Sequence, residues 1–126
     1  MFQQLNLETF WIAFGVGKNF HYIAIHDIVK DLGPSKSQAL SVFHALTGCD
    51  TVSSFSSRGK KSAFDTWTAM PAITDAFLKL LMDPLSINQL SVSSVIERFV
   101  VLLYDRTSDQ ESVNICRKQL FARKCR

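Results

Sequence analysis

One acid and one basic cluster stand out in this sequence because each lies at the electrostatically unfavourable end of a helix. Asp50 lies just past a predicted helix end, and three cations lie where the next helix begins: Arg58, Lys60 and Lys61. Helix dipoles favour the opposite arrangement, by a few tenths to about 1 kcal/mol per charge. A divalent cation beside Asp50 and a phosphate beside Gly59 would reverse both signs. The pattern predicts a phosphodiester backbone at a metal-dependent site, and the competing interpretation is a loop with ordinary surface charges.

Two other patterns match chemical motifs only in part. The segment GVGKN at 15–19 contains the Gly and Lys of a phosphate-binding loop, but such a loop needs a preceding glycine, a following Ser or Thr and then a helix. A plain hairpin turn is the favoured interpretation. His44 and Cys49 flank a helix end with no neighbour to orient the histidine as a base, so a partly buried helix residue and a small apolar filler are favoured.

The C-terminal segment RKQLFARKCR carries five basic residues on a predicted helix. Cations near a helix C-terminus are favoured by the dipole, and charge runs are typical of solvated faces. A solvated helix end is therefore preferred over a dedicated nucleic-acid patch.

The chain that must position these residues begins with a predicted β-hairpin over 9–25. Thr9–Phe14 and Phe20–Ile25 are rich in aromatic and branched residues and are separated by turn residues. Both strands are apolar on both faces, a pattern that suits the interior of a larger sheet. Two strands are marginal in water, and exposed apolar strands recruit other chains. We therefore expect self-association through the hairpin.

About six helices follow, so the predicted fold is mainly α with an N-terminal β-hairpin. They are predicted at 26–33, from Pro34 to Gly48, from Lys60 onward, at 71–82, around 92–103, and after a capping-box signature formed by Ser108 and Glu111. The expected organisation is a single partial domain over 1–126: the hairpin at 9–25, a region with the metal-binding Asp and a helix-turn-helix element at 26–70, and C-terminal helices at 71–126.

Composition limits the class of protein. The chain has 126 residues, 47% of them hydrophobic, a net charge of +3 and three cysteines without metal-ligand spacing. The sequence predicts no membrane span and no signal peptide. Unpaired thiols in an intracellular protein are expected, with the nucleus left open as the compartment.

The order FHYIAIHDIVKDLG, ALSVFHALTGCD and SSRGKKSAFDTW resembles the later half of flap endonucleases and XPG-type nucleases, members of the PIN-like fold. Leu32-Gly33 matches a helix end of that family, Gly48-Cys49-Asp50 matches its Gly-x-Asp, and Arg58–Ala63 matches the second half of its helix-turn-helix signature. The segment HALTGCDTVSSF also resembles segments of uncharacterised animal proteins of apparent mobile-element origin.

The resemblance implies roles for two groups of residues. Asp50 would belong to an acidic cluster that binds Mg²⁺ or Mn²⁺, and the turn before the Ala-containing helix would hold a DNA backbone through Ser57, Arg58, Gly59, Lys60 and Lys61. Ser57 stands where the family usually has glycine. The family's other acids lie upstream of the hairpin, so the chain is expected to be a C-terminal part of a nuclease domain without a complete catalytic site.

Three functions remain open at this point. The first is a segment of a metal-dependent, structure-specific DNA nuclease that binds nucleic-acid backbone without sequence specificity. The second is a non-catalytic helical module that binds nucleic acid or another partner, and the third is a non-functional gene fragment. Six further aspartates of the helical region are expected to be helix-surface or cap residues: Asp27, Asp65, Asp75, Asp83, Asp105 and Asp109.

Overall fold

The computed structural model describes residues 8–48 and 54–125. Within these ranges a β-hairpin is followed by six α-helices, which confirms the predicted mainly helical class. The elements are β1 (Trp11–Phe14), β2 (His21–Ala24), α1 (Ile25–Leu32), α2 (Pro34–Thr47), α3 (Lys60–Ala69), α4 (Ile73–Met82), α5 (Leu90–Tyr104) and α6 (Val113–Lys124). Short 3₁₀ helices lie at Gly17–Asn19 and Pro84–Asn88. The chain divides into two compact units between Gln38 and Ala39.

The first unit contains the predicted hairpin, with shorter strands than the sequence pattern suggests. β1 and β2 pair antiparallel in a register that sets Ile12 opposite Ile23. The connection turns at Gly15, which has a φ of +91°. A Cβ at this position would lie 2.3 Å from Asn19 O, so both the backbone conformation and the available space require glycine. A strand follows the connection, so GVGKN is a hairpin turn rather than a phosphate-binding loop.

Both faces of the hairpin are apolar and exposed. Directly opposed residues share a face, so one face presents Trp11 and Tyr22 and the other presents Ile12 and Phe14. The exposed fraction of these four side chains ranges from 41% to 64%. Within the described residues the sheet has only these two strands. The hairpin therefore has the composition of a buried sheet and the exposure of a surface one.

Glycines end the first two helices as predicted. Gly33 follows α1 with a φ of +82°, and its N–H donates to Val29 O at 3.0 Å. Gly48 follows α2 with a φ of +75°, and its N–H donates to His44 O at 3.0 Å. Left-handed glycine at this position satisfies carbonyl groups that the helix leaves unpaired.

The second unit has an aromatic core between the helices. Phe43 of α2 stacks on Trp67 of α3 with ring centroids 4.9 Å apart, and Trp67 meets Phe77 of α4 edge-on at 5.4 Å. Phe99 of α5 completes the row, 6.0 Å from Phe77. The indole N–H of Trp67 donates to Thr74 Oγ1 at 2.8 Å, so its burial leaves no donor unpaired. Truncating one of these rings to alanine costs about 3–5 kcal/mol in comparable cores.

Two details of the sequence prediction are wrong. His44, which is predicted to be partly buried, lies on the exposed side of α2. The capping box at Ser108 does not open the last helix, because the Ser108 hydroxyl accepts from Gln110 N and closes a local turn. α6 begins at Val113 instead, whose N–H donates to Glu97 Oε1 of α5 at 2.9 Å.

The predicted surface acids and unpaired thiols agree with the structure where it describes them. Five of the six aspartates are exposed and the sixth, Asp105, is the C-cap residue of α5. Cys116 is a buried free thiol and Cys125 an exposed one, while Cys49 lies outside the described residues. No helix in the described part of the chain is both long enough and apolar enough to cross a membrane.

Candidate nucleic-acid interface

The segment before α3 forms a tight turn that ends at the predicted binding residues. Arg58 N–H donates to Phe55 O at 3.1 Å and closes the turn, and Ser57 has a φ of +61°. A positive φ at the third residue of a β-turn is the conformation for which glycine is preferred. Ser57 thus has a backbone conformation for which glycine is preferred, at a position where the sequence resemblance leads one to expect glycine.

Arg58 is held at the C-terminus of α5. Its Nε donates to Leu103 O at 2.9 Å and its Nη2 donates to Tyr104 O at 3.3 Å. Its guanidinium carbon also lies 5.2 Å from the centroid of the Tyr104 ring. The last carbonyl groups of a helix accept no hydrogen bond from within the helix, and they carry partial negative charge. Arg58 therefore caps α5, a position that the dipole favours.

Tyr104 strengthens the same attachment from the side of α5. Its hydroxyl donates to Ser56 O at 3.0 Å, and its ring meets Phe55 edge-on with centroids 6.3 Å apart. Residues 55–58 are consequently fixed to the end of α5 by hydrogen bonds in both directions and by aromatic packing. This fixes the point at which the chain enters α3.

Lys60 is held at the C-terminus of α2 in a similar way. Its amino group donates to His44 O at 3.2 Å and to the hydroxyl of Thr47, and it lies 5.4 Å from the centroid of the Phe43 ring. Two of the three cations that seemed misplaced at the start of α3 thus serve the C-termini of other helices. Their position in the sequence is explained by contacts within the chain.

The first turn of α3 remains accessible. Gly59 is the N-cap residue, no side chain in the described part of the chain caps the helix there, and no acid lies in the first turn. A Cβ at Gly59 would meet none of the described residues within 4 Å, so these residues leave the space beside Gly59 open. Lys61, the third cation of the cluster, is exposed. Open N–H groups and a cation together are a typical environment for a phosphate.

The predicted metal ligand Asp50 lies outside the described residues. Among the residues that are described, no group of three or more His, Cys, Asp or Glu side chains is close enough to hold a metal ion. The described residues therefore do not by themselves fit the two-metal centre that the family resemblance implies.

The basic C-terminal helix α6 is tied to α5 by one ion pair. Arg123 Nη1 lies 3.0 Å from Asp105 Oδ2. The hydroxyl of Thr107 donates to Asp105 Oδ1 at 2.9 Å, and this hydrogen bond, with the Arg123 guanidinium, lowers the pKa of the Asp105 carboxyl. Part of the C-terminal charge is thus used within the chain.

Comparison with known proteins gives no relative. No protein-family model matches the sequence, and neither a curated protein nor a solved structure matches the chain.

Sequence reasoning missed the capping roles of Arg58 and Lys60 and the part played by Tyr104. The unfavourable charge placement was a real signal, but the groups that resolve it are carbonyls 16 to 46 residues away in sequence. Such long-range partners leave no local pattern. The sequence shows that Phe43 and Tyr104 lie near the ends of predicted helices. It does not show that Lys60 lies over the Phe43 ring or Arg58 over the Tyr104 ring.

Proposed function

We propose that this chain binds the phosphate backbone of nucleic acids without sequence specificity, through residues 57–61 and the first turn of α3. The observation that carries the proposal is the start of α3, where no described side chain caps the backbone N–H groups, no acid lies in the first turn and Lys61 is exposed beside them. Backbone N–H groups and lysine recognise phosphate oxygen rather than base edges, so the binding is independent of sequence.

The conformation of the preceding turn supports the same proposal. Ser57 holds a left-handed backbone conformation, and Arg58 and Lys60 fasten the turn to the ends of α5 and α2. A binding turn that is held before the ligand arrives loses little conformational entropy when it binds. On this proposal Arg58 and Lys60 position the turn and add long-range positive charge, while Lys61 and the backbone contact the phosphate.

The family resemblance extends the proposal to descent from a metal-dependent, structure-specific DNA nuclease of the PIN-like fold. Asp50 would then contribute one carboxylate to a Mg²⁺ or Mn²⁺ site. Such ions require several oxygen ligands, and the described residues bring no cluster of them together. The proposal for this chain is therefore limited to backbone binding and includes no hydrolytic step.

The experiment compares two charge reversals, Lys61→Glu in the turn and Lys124→Glu at the C-terminal end of α6. Duplex binding is measured by fluorescence anisotropy over a range of salt concentrations, with two unrelated sequences. Lys61→Glu should weaken binding to both sequences and reduce the slope of log K against log salt by about 1, because one phosphate contact is lost. Lys124→Glu should have a smaller effect. A larger effect of Lys124→Glu would move the binding site to α6.

The second candidate is a non-catalytic helical module with no metal chemistry. It is favoured by the capping contacts of Arg58 and Lys60, which explain two of the three cations without a ligand. Nuclease descent and a non-catalytic module differ at Asp50. Asp50→Asn should leave every function of a non-catalytic module unchanged, whereas on nuclease descent it should remove a weak Mn²⁺ binding, no tighter than about millimolar, measured by calorimetry.

A further inference from the structure

An apolar groove lies between α5 and α6 in the second unit. It has a volume of about 470 Å³, and its walls include Phe55 and Tyr104 on one side and Val113, Leu120 and Phe121 on the other. Phe121 is 69% exposed, whereas the buried Cys116 forms part of the lining. A groove of this volume is within the usual range for binding sites.

The rim of the groove is positively charged. Arg117 and Lys124 of α6 both line it, and none of the described residues in its lining is acidic. α6 itself carries Arg117, Lys118, Arg123 and Lys124 and no acid, and among the described residues only Arg123 of these four has an ion-pair partner, Asp105. An apolar floor between two cations complements a partner that is apolar in the middle and acidic at both ends.

The spacing of the two rim cations decides the class of partner. Arg117 and Lys124 are seven residues apart on one helix, so they lie on the same side and about 10 Å apart along its axis. An α-helix with two acids seven residues apart presents them at the same separation. Apolar residues at the third and fourth positions after the first acid then lie between the two acids on the same face. A small carboxylic acid would reach only one of the cations. Nucleic acid would pair with the cations but leave the apolar floor in water.

We propose that the groove between α5 and α6 binds an amphipathic α-helix of another protein, with acids seven residues apart on either side of a pair of large apolar side chains. The apolar pair fills the space between Tyr104 and Phe121, and the two acids pair with Arg117 and Lys124. This mode of recognition places one helical face in a hydrophobic groove. The proposal does not rest on backbone binding at the start of α3, although Phe55 and Tyr104 both line the groove and help to fix the turn before α3.

The test uses a labelled synthetic helical peptide with glutamates seven residues apart flanking two leucines, and a scrambled peptide of the same composition. The full chain should bind the first peptide and not the scrambled one, as measured by fluorescence anisotropy. Reversing both rim charges, Arg117→Glu with Lys124→Glu, should weaken binding by at least about tenfold through two repulsive pairs. A peptide with lysines in place of the glutamates should then bind the reversed variant better than the native chain.

Two single variants separate the groove from the general charge of α6. Phe121→Ala removes an exposed wall of the groove and should weaken peptide binding without unfolding the chain. Lys118→Glu changes the charge of the same helix outside the lining and should leave the affinity within about twofold. Equal binding of the scrambled peptide, or an equal effect of Lys118→Glu and the rim variants, would overturn the proposal. The proposal would also be overturned if duplex DNA displaced the peptide and the binding of that DNA required Arg117.

Discussion

Arg58 and Lys60 each sit before or within the first turn of α3 and hold the last carbonyls of another helix. Arg58 donates to Leu103 O and Tyr104 O, and Lys60 donates to His44 O. Hydrogen bonds from a charged donor contribute about 1.5–3 kcal/mol, and the helix dipole adds to them. Arg58 therefore connects the turn to the last carbonyl groups of α5. Lys60 connects it to the end of α2, where His44 O also accepts from the Gly48 N–H.

Arg58→Ala should lower the free energy of unfolding by about 2 kcal/mol, because two charge-assisted hydrogen bonds at the end of α5 are lost. Urea unfolding followed by circular dichroism measures this change. Lys61→Ala is the matched control and should change the free energy by less than about 0.5 kcal/mol, since Lys61 is an exposed surface residue. Equal stability of the Arg58→Ala variant and the native chain would show that the capping contacts contribute nothing.

Ser57→Gly should stabilise the chain. A left-handed conformation costs an L-residue about 1–2 kcal/mol, and the extra flexibility of glycine in the unfolded chain returns about 0.5–1 kcal/mol of this, so a net gain of about 0.5 kcal/mol is expected. Ser56→Gly is the control, because Ser56 is not among the described residues with positive φ, and it should destabilise the chain. A loss of stability in Ser57→Gly would mean that residue 57 is not left-handed in solution.

At the scale of elements, the sequence predicts best where one local cause fixes one feature. Gly33, Gly48 and Pro34 mark helix boundaries through backbone restrictions that act within a few residues, and these boundaries are confirmed. The prediction for the start of α6 is wrong because the cause of that start is not local. Its first N–H is capped by Glu97 from another helix, so the local signature at Ser108 misplaces it.

The hairpin is the element whose exposure conflicts with its composition. Trp11, Phe14 and Tyr22 are more than half exposed, and strands with open edges pair readily with other chains. We predict that the chain self-associates through 9–25. Sedimentation equilibrium should show association that Ile12→Lys reduces, because a charge on the strand opposes edge pairing.

The control for this prediction is Leu85→Lys, which changes an exposed apolar residue outside the hairpin. It should leave the association unchanged. A chain that stays monomeric at high concentration, with slow amide exchange across both strands, would contradict self-association and show that the hairpin is satisfied within the chain.

At the scale of the whole molecule, the candidate site was only partly predictable. The sequence located the basic turn and the start of α3, since Gly59 and the lysines form a local pattern. It did not reveal that Arg58 and Lys60 are engaged elsewhere, because their partners at Leu103 and His44 are brought close only by folding. The groove between α5 and α6 was also missed, since it depends on how two helices pack.

The most direct test of backbone binding at the start of α3 is a titration of the ¹⁵N-labelled chain with a short DNA duplex, followed by amide chemical shifts. Binding through the proposed site predicts that the largest shifts fall on the amides of Gly59, Lys60, Lys61 and Ser62, and that they diminish as salt is raised. Shifts confined to the C-terminal helix, with the amides of 59–62 unchanged at saturation, would contradict the proposal.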